Sequence, residues 1–314
     1  MRAIAVSEFG ATPALMNLPV PEPGPGETLV KMVAAGLNPV DWKISDGAWK
    51  DSVDHAFPLI MGMDGAGVVE ETGEGETPFR PGEQVYGRFF VPPRGLGSFA
   101  EYAIATPGAA VAPMPDGMIY SQAAAVPTAT MAAFTMVENA GVDEGHTVLV
   151  VGATGGVGQS AVQLAADRGA KVIATAHADM ADEMRRLGAA ETVDHGEGDL
   201  NGQVLRTHSE GIDEIIDLVS DQAGVDRLAG LLRPGGTYIS SIWSVNPDKM
   251  AAQQLRGLNL GDESSPELLA RIADLIDAGK LRVRVHEEVS LEDTPAAIAR
   301  GRAGGARGKT VIRL

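Results

Sequence analysis

The chain has 314 residues, a formal net charge of −17 at pH 7, 44% hydrophobic residues and no cysteine. The length predicts two domains, the acidic balance disfavours a nucleic-acid partner, and the lack of cysteine excludes disulfides, thiolate metal sites and a cysteine nucleophile. The sequence has no apolar run of membrane-spanning length and no signal-peptide pattern, so we expect a cytoplasmic protein that does not need a membrane.

Residues 1–120 are predicted to form short strands joined by turns. The predicted strands are 2–6, 28–35, 67–70, 84–87 and 99–103. Glycines and prolines lie between them at the positions where turns need them. Many short strands with such turns favour a compact, barrel-like domain.

Residues 34–43, AAGLNPVDWK, follow one of these strands and bring Asn38, Asp41 and Lys43 close together. An asparagine before proline starts a turn, an aspartate caps a helical turn, and a lysine at the surface needs no further explanation. The same side chains also offer an amide, a carboxylate and an ammonium group to a functional site. The residues alone leave both interpretations open.

Residues 147–166, TVLVVGATGGVGQSAVQLAA, carry the most informative pattern of the chain. The β-branched run 148–151 is typical of a strand buried on both faces, and helical spacing of apolar residues begins at Gly158. A glycine turn between such a strand and helix lets the backbone approach a pyrophosphate, which the helix N-terminus then binds. The stretch therefore predicts a dinucleotide-binding site.

Strands and helices alternate over residues 120–261, as in a doubly wound parallel sheet. The further strands predicted here are 171–175, 190–193, 212–219 and 237–242, and Pro-Gly-Gly at 234–236 is predicted to turn the chain into the last one. Beyond them we expect a helix over 266–278 and short strands at 281–285 and 309–314.

The end of the second strand of this sheet contacts the adenosine ribose, and NAD-preferring sites have an acidic residue there. Ala176 occupies that position, so no carboxylate would repel a 2′-phosphate. His177 follows directly, and Arg185 or Arg186 could reach back from the next helix. Three acidic residues over 179–183 argue the other way, but the balance favours NADPH over NADH.

Six segments then carry a resemblance to a known family, in the expected order. They are AAGLNPVDWKISDG, PLIMGMDGAGVVEETGEG, GSFAEYAIA, VLVVGATGGVGQSAVQLA, GKLRVRVHEEVSLEDTPAAI and GGARGKTVIRL. Together they resemble the zinc-independent quinone oxidoreductase (zeta-crystallin-like) branch of the medium-chain dehydrogenase/reductase superfamily. The resemblance implies an α/β protein with a GroES-like β-barrel catalytic domain (1–120, completed by 262–314) and a Rossmann doubly wound parallel-sheet cofactor domain (121–261).

The segment Gly62-Met63-Asp64 departs from the zinc-dependent relatives, which have Gly-His-Glu there. A thioether and one carboxylate do not replace imidazole and thiolate at a tetrahedral zinc. We therefore expect no metal and a hydride transfer to an acceptor that is already electrophilic, rather than oxidation of a simple alcohol.

The resemblance implies NADP(H)-dependent hydride transfer to a quinone or an α,β-unsaturated carbonyl, whose oxygen gains negative charge and needs a donor. Lys43 lies where better-known quinone reductases have a tyrosine, and it would stabilise or protonate that oxygen. Asn38 would orient the nicotinamide ribose or the substrate carbonyl, while Asp41 would brace the loop. Thr130 lies near a family active-site threonine, although Ala132 is the alternative alignment.

The predicted cofactor-binding residues lie in the glycine turn or after strands of the second domain. They are Gly155, Gly156, Val157, Gly158, Thr175, Ala176, His177, Arg185, His195, Val219 and Ser241. His195 falls where the family often has a tyrosine near the adenosine phosphate, with an exposed turn histidine as the alternative. Asp217 resembles a family aspartate and would brace a loop rather than take part in chemistry.

The resemblance also implies a homodimer built on the edges of the cofactor-domain sheets. Two other functions stay open at this point. One is an alkenal or enoyl reductase of a biosynthetic pathway, and the other is a non-catalytic NADPH-binding sensor or structural protein.

Overall fold

The computed structural model describes residues 1–261, 263–304 and 307–314. The chain divides into two compact units. The first unit comprises Met1–Ala129, Ser264–Ala278 and Val283–Leu314, and the second comprises Thr130–Glu263 and Gly279–Arg282. The first unit continues to Ala129, nine residues beyond the boundary predicted after residue 120, because residues 120–124 form a helix that packs on strands of this unit.

Strands and helices alternate along much of the described chain. The strands are β1 (Arg2–Val6), β2 (Ala14–Asn17), β3 (Thr28–Gly36), β4 (Leu59–Ile60), β5 (Asp64–Thr72), β6 (Gln84–Arg88), β7 (Tyr102–Ala105), β8 (Val111–Pro113), β9 (Thr147–Val151), β10 (Lys171–Thr175), β11 (Glu191–Val193), β12 (Ile212–Asp217), β13 (Leu232–Ser240), β14 (Arg256–Asn259), β15 (Val285–Ser290) and β16 (Lys309–Arg313). The α-helices are α1 (Pro39–Ser45), α2 (Tyr120–Ala124), α3 (Pro127–Ala140), α4 (Gly156–Asp167), α5 (Ala178–Arg186), α6 (Leu200–Leu205), α7 (Gln222–Leu228), α8 (Pro247–Ala252), α9 (Pro266–Asp277) and α10 (Thr294–Arg302).

The first unit is built on two sheets, one with the order β2-β1-β4 and a larger one with the order β15-β16-β3-β5-β6-β8, in which β7 also pairs with β3. Antiparallel pairing on both sides of β3 places Gly36 opposite Asp64 of β5 and opposite Val311 of β16. Three distant segments of the chain therefore meet at the end of β3, immediately before α1. Apolar side chains alternate inward along β3, which is why this strand runs through the core of the unit.

The second unit contains six parallel strands in the order β11-β10-β9-β12-β13-β14. Counted from β9, this is the order 3-2-1-4-5-6 of a dinucleotide-binding sheet. The strand β9 is buried along four of its five residues, as a central strand covered on both faces must be. The strand order reverses between β9 and β12, so a ligand site is expected beyond the carboxyl ends of these two strands.

The sequence patterns predicted most strand positions correctly and misplaced some boundaries. The strand predicted at 281–285 is wrong: residues 281–284 are irregular, because the side-chain amide of Gln163 accepts from the Arg282 N–H (2.9 Å) and donates to the Arg282 carbonyl (3.0 Å). The helix after the glycine turn begins at Gly156, two residues before the predicted start. The Pro-Gly-Gly segment 234–236 lies within β13 as an irregularity of its pairing rather than before it.

Within the described part of the chain, no helix combines the length and the apolar character that crossing a membrane requires.

Candidate cofactor and active site

The glycine turn after β9 uses its glycines for different purposes. Gly152 has φ +81°, a left-handed conformation that side chains rarely adopt, and its N–H donates to Thr175 Oγ1 (2.9 Å). A Cβ atom at Gly158 would lie 2.6 Å from the Ala153 Cα and still closer to the Gly152 carbonyl oxygen. Both glycines are therefore required for the turn and the helix to pack together.

Gly155 is the N-cap of α4 and is not required by packing. Its φ of −76° suits any residue, and a Cβ atom there would have only the Gly152 carbonyl oxygen nearby, at 3.5 Å. The open space in front of it faces the first turn of α4, which has free N–H groups and no acidic side chain. Gly155, Gly156 and Val157 thus leave the helix N-terminus open, which is what the predicted phosphate contact requires, and their cofactor-binding role stays a prediction.

The end of β10 has no carboxylate. Ala176 is buried, and its N–H donates to the carbonyl of Val193, the last residue of β11 (2.9 Å), so the pairing with β11 extends one residue beyond β10. His177 follows as the exposed N-cap of α5. Arg185, on the same helix, donates to Asp182 Oδ1 (2.8 Å) and to Thr192 Oγ1 (3.0 Å), so its guanidinium already has partners.

His177, Asp194 and His195 lie together at the edge formed by these two strand ends. The Nδ1 atom of His177 lies 2.8 Å from Asp194 Oδ1, and the two imidazole rings are 4.3 Å apart between centroids. The Gly196 N–H donates to Asp194 Oδ1 (2.8 Å), and this hydrogen bond, assisted by His177, holds the pKa of Asp194 below its usual range.

The loop after β12 is braced by Asp217. This buried carboxylate accepts from the N–H groups of Val219 (3.0 Å) and Ser220 (2.9 Å), and its other oxygen accepts from the hydroxyl of Tyr238. The Ser241 N–H donates to the Asp217 carbonyl (3.1 Å), which ties the end of β13 to the end of β12. The bracing role predicted for Asp217 is therefore confirmed.

Apolar side chains are exposed on the two loops that Asp217 joins. Val219 is 61% exposed, and Trp243 is 70% exposed with φ 63°, a strained conformation for a bulky residue. The Ser240 hydroxyl holds this turn, because it accepts from the Ile242 N–H (3.2 Å) and lies 2.9 Å from the Ser244 hydroxyl. Strain combined with exposure at the carboxyl edge of the sheet marks this loop as a functional candidate.

In the first unit, Asn38 starts α1. It has an extended backbone, Pro39 occupies the first helical position, and the Asn38 N–H donates to Asp41 Oδ2 (2.7 Å). The bracing role predicted for Asp41 is thus visible as a helix cap. Asp41 is buried, and its second oxygen, Oδ1, has no hydrogen-bond partner among the described residues.

The side chain of Asn38 is buried in a cluster with three residues from other segments. Its Nδ2 donates to Asp64 Oδ2 (2.8 Å) and, more weakly, to the Gly36 carbonyl (3.3 Å), while its Oδ1 accepts from Lys309 Nζ (2.5 Å). Asp64 Oδ1 accepts from Thr128 Oγ1 (2.6 Å), and the carboxylate lies 3.9 Å from Lys309 Nζ. Both amide hydrogens of Asn38 are therefore used inside the first unit, which makes it a positioning residue in this structure.

Burial dominates the electrostatics of this cluster. It raises the pKa of Asp41 to about 8, with the nearby Asp64 charge adding to the increase. Burial also raises the pKa of Asp64 and lowers that of Lys309, while the attraction between the two opposes both shifts. The cluster thus holds two carboxyl groups and one amine that are all buried.

Lys43 and Thr130 make no hydrogen bond to this cluster. Lys43 is on the exposed face of α1, and its side chain makes no hydrogen bond or ion pair with the described residues. Thr130 belongs to the second unit, where its buried hydroxyl lies 3.2 Å from the Ser160 hydroxyl on α4. The predicted catalytic roles of both residues stay predictions.

Three members of the cluster, Asp64, Thr128 and Lys309, were not predicted from the sequence as site residues. The only signal for Lys309 is a lysine at the first position of a short strand, KTVIR, that has two apolar residues at its centre. Asp64 was considered only as part of a lost zinc site, and Thr128 lies two residues from the predicted Thr130.

The residues around Asp64 do not fit a catalytic zinc ion. The Asp64 oxygens accept hydrogen bonds from Asn38 and Thr128, and the Met63 sulfur accepts from Arg88 (3.2 Å). Within residues 1–261, 263–304 and 307–314, the single group of three potential ligands is His177, Asp194 and His195. No step of the proposed chemistry therefore passes through a zinc ion at this position.

Comparison with known proteins agrees with this geometry. Residues 24–116 match the family described as "Alcohol dehydrogenase GroES-like domain", and residues 187–312 match "Zinc-binding dehydrogenase". The chain also superposes on the structure of the quinone oxidoreductase from Coxiella burnetii with a TM-score of 0.88 at 28% identity, covering 100% of this chain and 99% of that one.

Similar protein sequences indicate the same family. The chain is 29% identical over 324 residues to 2-methylene-furan-3-one reductase of Solanum lycopersicum, covering 99% of this chain and 79% of that protein. It is 30% identical over 332 residues to the quinone oxidoreductase of Homo sapiens, covering 100% of this chain and 98% of that protein. The chain therefore belongs to the medium-chain dehydrogenase/reductase superfamily of oxidoreductases, as a relative of its quinone oxidoreductases.

Proposed function

We propose that this protein is an NADPH-dependent reductase that transfers hydride, without zinc, to a quinone or to the β-carbon of an α,β-unsaturated carbonyl. The observation that carries the proposal is the parallel sheet of the second unit, with the glycine turn Gly152–Gly158 at the point where its strand order reverses. The names of its relatives, which include a quinone oxidoreductase and a furanone reductase, support the acceptor class.

The second unit would hold the dinucleotide with the first turn of α4 and the strand ends around it. Nicotinamide, when bound, supplies the hydride, and the chain supplies binding and orientation. Gly155 leaves the space for the phosphates, and Thr175 keeps the turn in place through its bond to Gly152. Ala176 favours NADPH over NADH, because no carboxylate there would repel the 2′-phosphate.

The first unit would stabilise the charge that develops on the acceptor oxygen. Lys43 suits this task because its ammonium is exposed, while α1 below it is fixed by the cap at Asn38 and Asp41. A cation held near an enolate-like or phenolate-like oxygen lowers the energy of the transition state and can return a proton to it. Asn38 would act by positioning α1.

The test is NADPH oxidation by the purified protein, with NADH in parallel, against a simple quinone and a 2-alkenal. We expect turnover with NADPH, much less with NADH, and no loss of activity when a metal chelator is added. Lys43→Met should lower kcat by about 10²–10⁴-fold while the affinity for NADPH stays the same. Tight NADPH binding without turnover on either acceptor would contradict the reductase and favour the sensor.

The preferred acceptor decides between the quinone reductase and the alkenal or enoyl reductase. A second candidate function as an enone reductase is favoured by the relative named 2-methylene-furan-3-one reductase. A kcat/KM at least tenfold higher for the 2-alkenal than for the quinone would establish that alternative.

We further propose a cytoplasmic homodimer formed through β14, which is an edge strand of the sheet in the second unit. An edge strand has unpaired N–H and C=O groups that a second copy can complete. Light scattering coupled to size exclusion should give twice the mass of the chain, and a mass of 32.6 kDa would contradict the dimer.

A further inference from the structure

His177, Asp194 and His195 form a cluster at the strand ends where the sequence predicts the adenosine end of the cofactor, away from any role in the hydride transfer itself. One ligand atom from each lies within 4.8 Å of the other two. Both histidines are exposed, and the ring nitrogens of His195 have no hydrogen-bond partner among the described residues. The cluster therefore offers two imidazoles and one carboxylate to solvent on the same side.

The backbone holds these three residues in place. Parallel pairing sets Thr175 opposite Val193, so the residues that follow the two strands leave the sheet side by side. The Asp194 N–H donates to Gln203 Oε1 (3.1 Å) and its carbonyl accepts from Gln203 Nε2 (2.7 Å), which fixes the turn from both sides. Because these two loops are already ordered, less conformational entropy is lost when their side chains bind an ion.

We propose that His177, Asp194 and His195 bind a divalent ion of the zinc type, such as Zn²⁺ or Co²⁺, and that the bound ion excludes the adenosine end of the cofactor. Two imidazoles, one carboxylate and water make up a common ligand set for these ions. Ligand atoms around a tetrahedral zinc lie about 3.3 Å apart at bond lengths of about 2.0–2.1 Å. The present separations, from 2.8 Å to at most 4.8 Å, reach that value by rotation of two exposed imidazoles.

Two further features favour a cation here. The Gly196 N–H orients the carboxylate of Asp194, in the way that outer-shell hydrogen bonds orient metal ligands. The net charge of −17 attracts cations to the surface as a whole. The ion would exclude the cofactor because of where it binds: His177 directly follows Ala176 at the strand end assigned to the adenosine ribose. The exclusion of the cofactor therefore rests on the proposed function.

The ion can be measured without any turnover. Titration with Zn²⁺ in a calorimeter, and with Co²⁺ by its visible absorption, should give one site per chain. His195→Gln should weaken binding by at least about tenfold, the lower end of what even outer-shell changes cause. His286→Gln, which changes an exposed histidine of β15, should leave it unchanged. Binding that does not change in His195→Gln, or that falls equally in both variants, would overturn the site.

Competition tests the second half of the proposal. Zn²⁺ should raise the Kd of NADPH, measured by its fluorescence, in the natural protein but not in His195→Gln. A zinc site that leaves the NADPH affinity unchanged would overturn the exclusion. A protein that binds zinc through His195 but never oxidises NADPH would instead contradict the proposed function and leave the metal site standing.

Discussion

The glycine turn gives the sharpest prediction, because two glycines three residues apart, Gly155 and Gly158, should respond differently to the same substitution. Gly158→Ala places a Cβ atom 2.6 Å from the Ala153 Cα and closer still to the Gly152 carbonyl. These contacts are backbone atoms, so the turn and α4 must move apart. Gly155→Ala places a Cβ atom in open space, 3.5 Å from the Gly152 carbonyl oxygen.

The expected free energies follow from these distances. Overpacking against backbone costs about 3 kcal/mol at the upper end of its usual range, and the better helix propensity of alanine returns about 1 kcal/mol. Gly158→Ala should therefore lower the free energy of unfolding by about 2 kcal/mol. Gly155→Ala should change it by only about 0.5 kcal/mol, because alanine is a slightly poorer N-cap than glycine.

Gly155→Ala, which should hardly change stability, should weaken the binding of the cofactor. Its new methyl group fills the space in front of α4 where phosphates would lie, so the Kd of NADPH should rise at least tenfold, or about 1.4 kcal/mol. Urea unfolding without cofactor gives the stability, and NADPH fluorescence titration gives the affinity. A Gly155→Ala variant that binds NADPH normally, or that is as unstable as Gly158→Ala, would refute this account of the turn.

Three more predictions concern the first unit and the loop after β13. Burial raises the pKa of Asp41 to about 8 from 3.8, so the folded chain keeps a proton that the unfolded chain releases, and the resulting stability is lost between about pH 4 and pH 8. Asp41→Asn should flatten this fall in urea unfolding, and an unchanged profile would contradict it. Lys309→Met should cost about 3–5 kcal/mol of unfolding free energy because it leaves the buried Asp64 carboxylate without a cation, and the double variant with Asp64→Asn should recover part of the loss. A loss below about 1 kcal/mol would contradict this. Trp243→Gly should not lower the free energy of unfolding, because relief of about 1–2 kcal/mol of left-handed backbone strain offsets the greater backbone entropy that glycine has in the unfolded chain. The kcat/KM for quinones should nevertheless fall. A loss of stability would mean that Trp243 packs in the core.

The second unit was predictable from the sequence because its signals are local. A β-branched run, a glycine turn and a helical period lie within residues 147–166, and each following strand repeats the apolar pattern. The same locality placed Ala176 and Asp217 correctly at strand ends. Boundaries failed where a side chain replaced a strand partner, as Gln163 does beside Arg282.

The buried cluster of the first unit could not be predicted in this way. Asp64 lies 26 residues from Asn38, and Lys309 lies 271 residues from it. Only the pairing of β3 with β5 and β16 brings these segments together, and a register is a property of the whole sheet. A lysine that begins a short strand gives no sign that its ammonium will lie beside the buried carboxyl group of Asp64 and donate to Asn38.

This cluster explains how a helix as short as α1 is held in a fixed position. A helix of seven residues is too short to be stable alone, so its position must come from its contacts. Asn38 supplies them: its backbone caps the helix through Asp41, and its side chain is fixed by Asp64 and Lys309. Buried, hydrogen-bonded side chains anchor one face of α1, while Lys43 lies on its exposed face, where the proposed function requires a cation. A helix with one fixed, buried face and one exposed face suits the proposed chemistry, in which the chain positions the reactants and stabilises charge while the nicotinamide ring supplies the electrons.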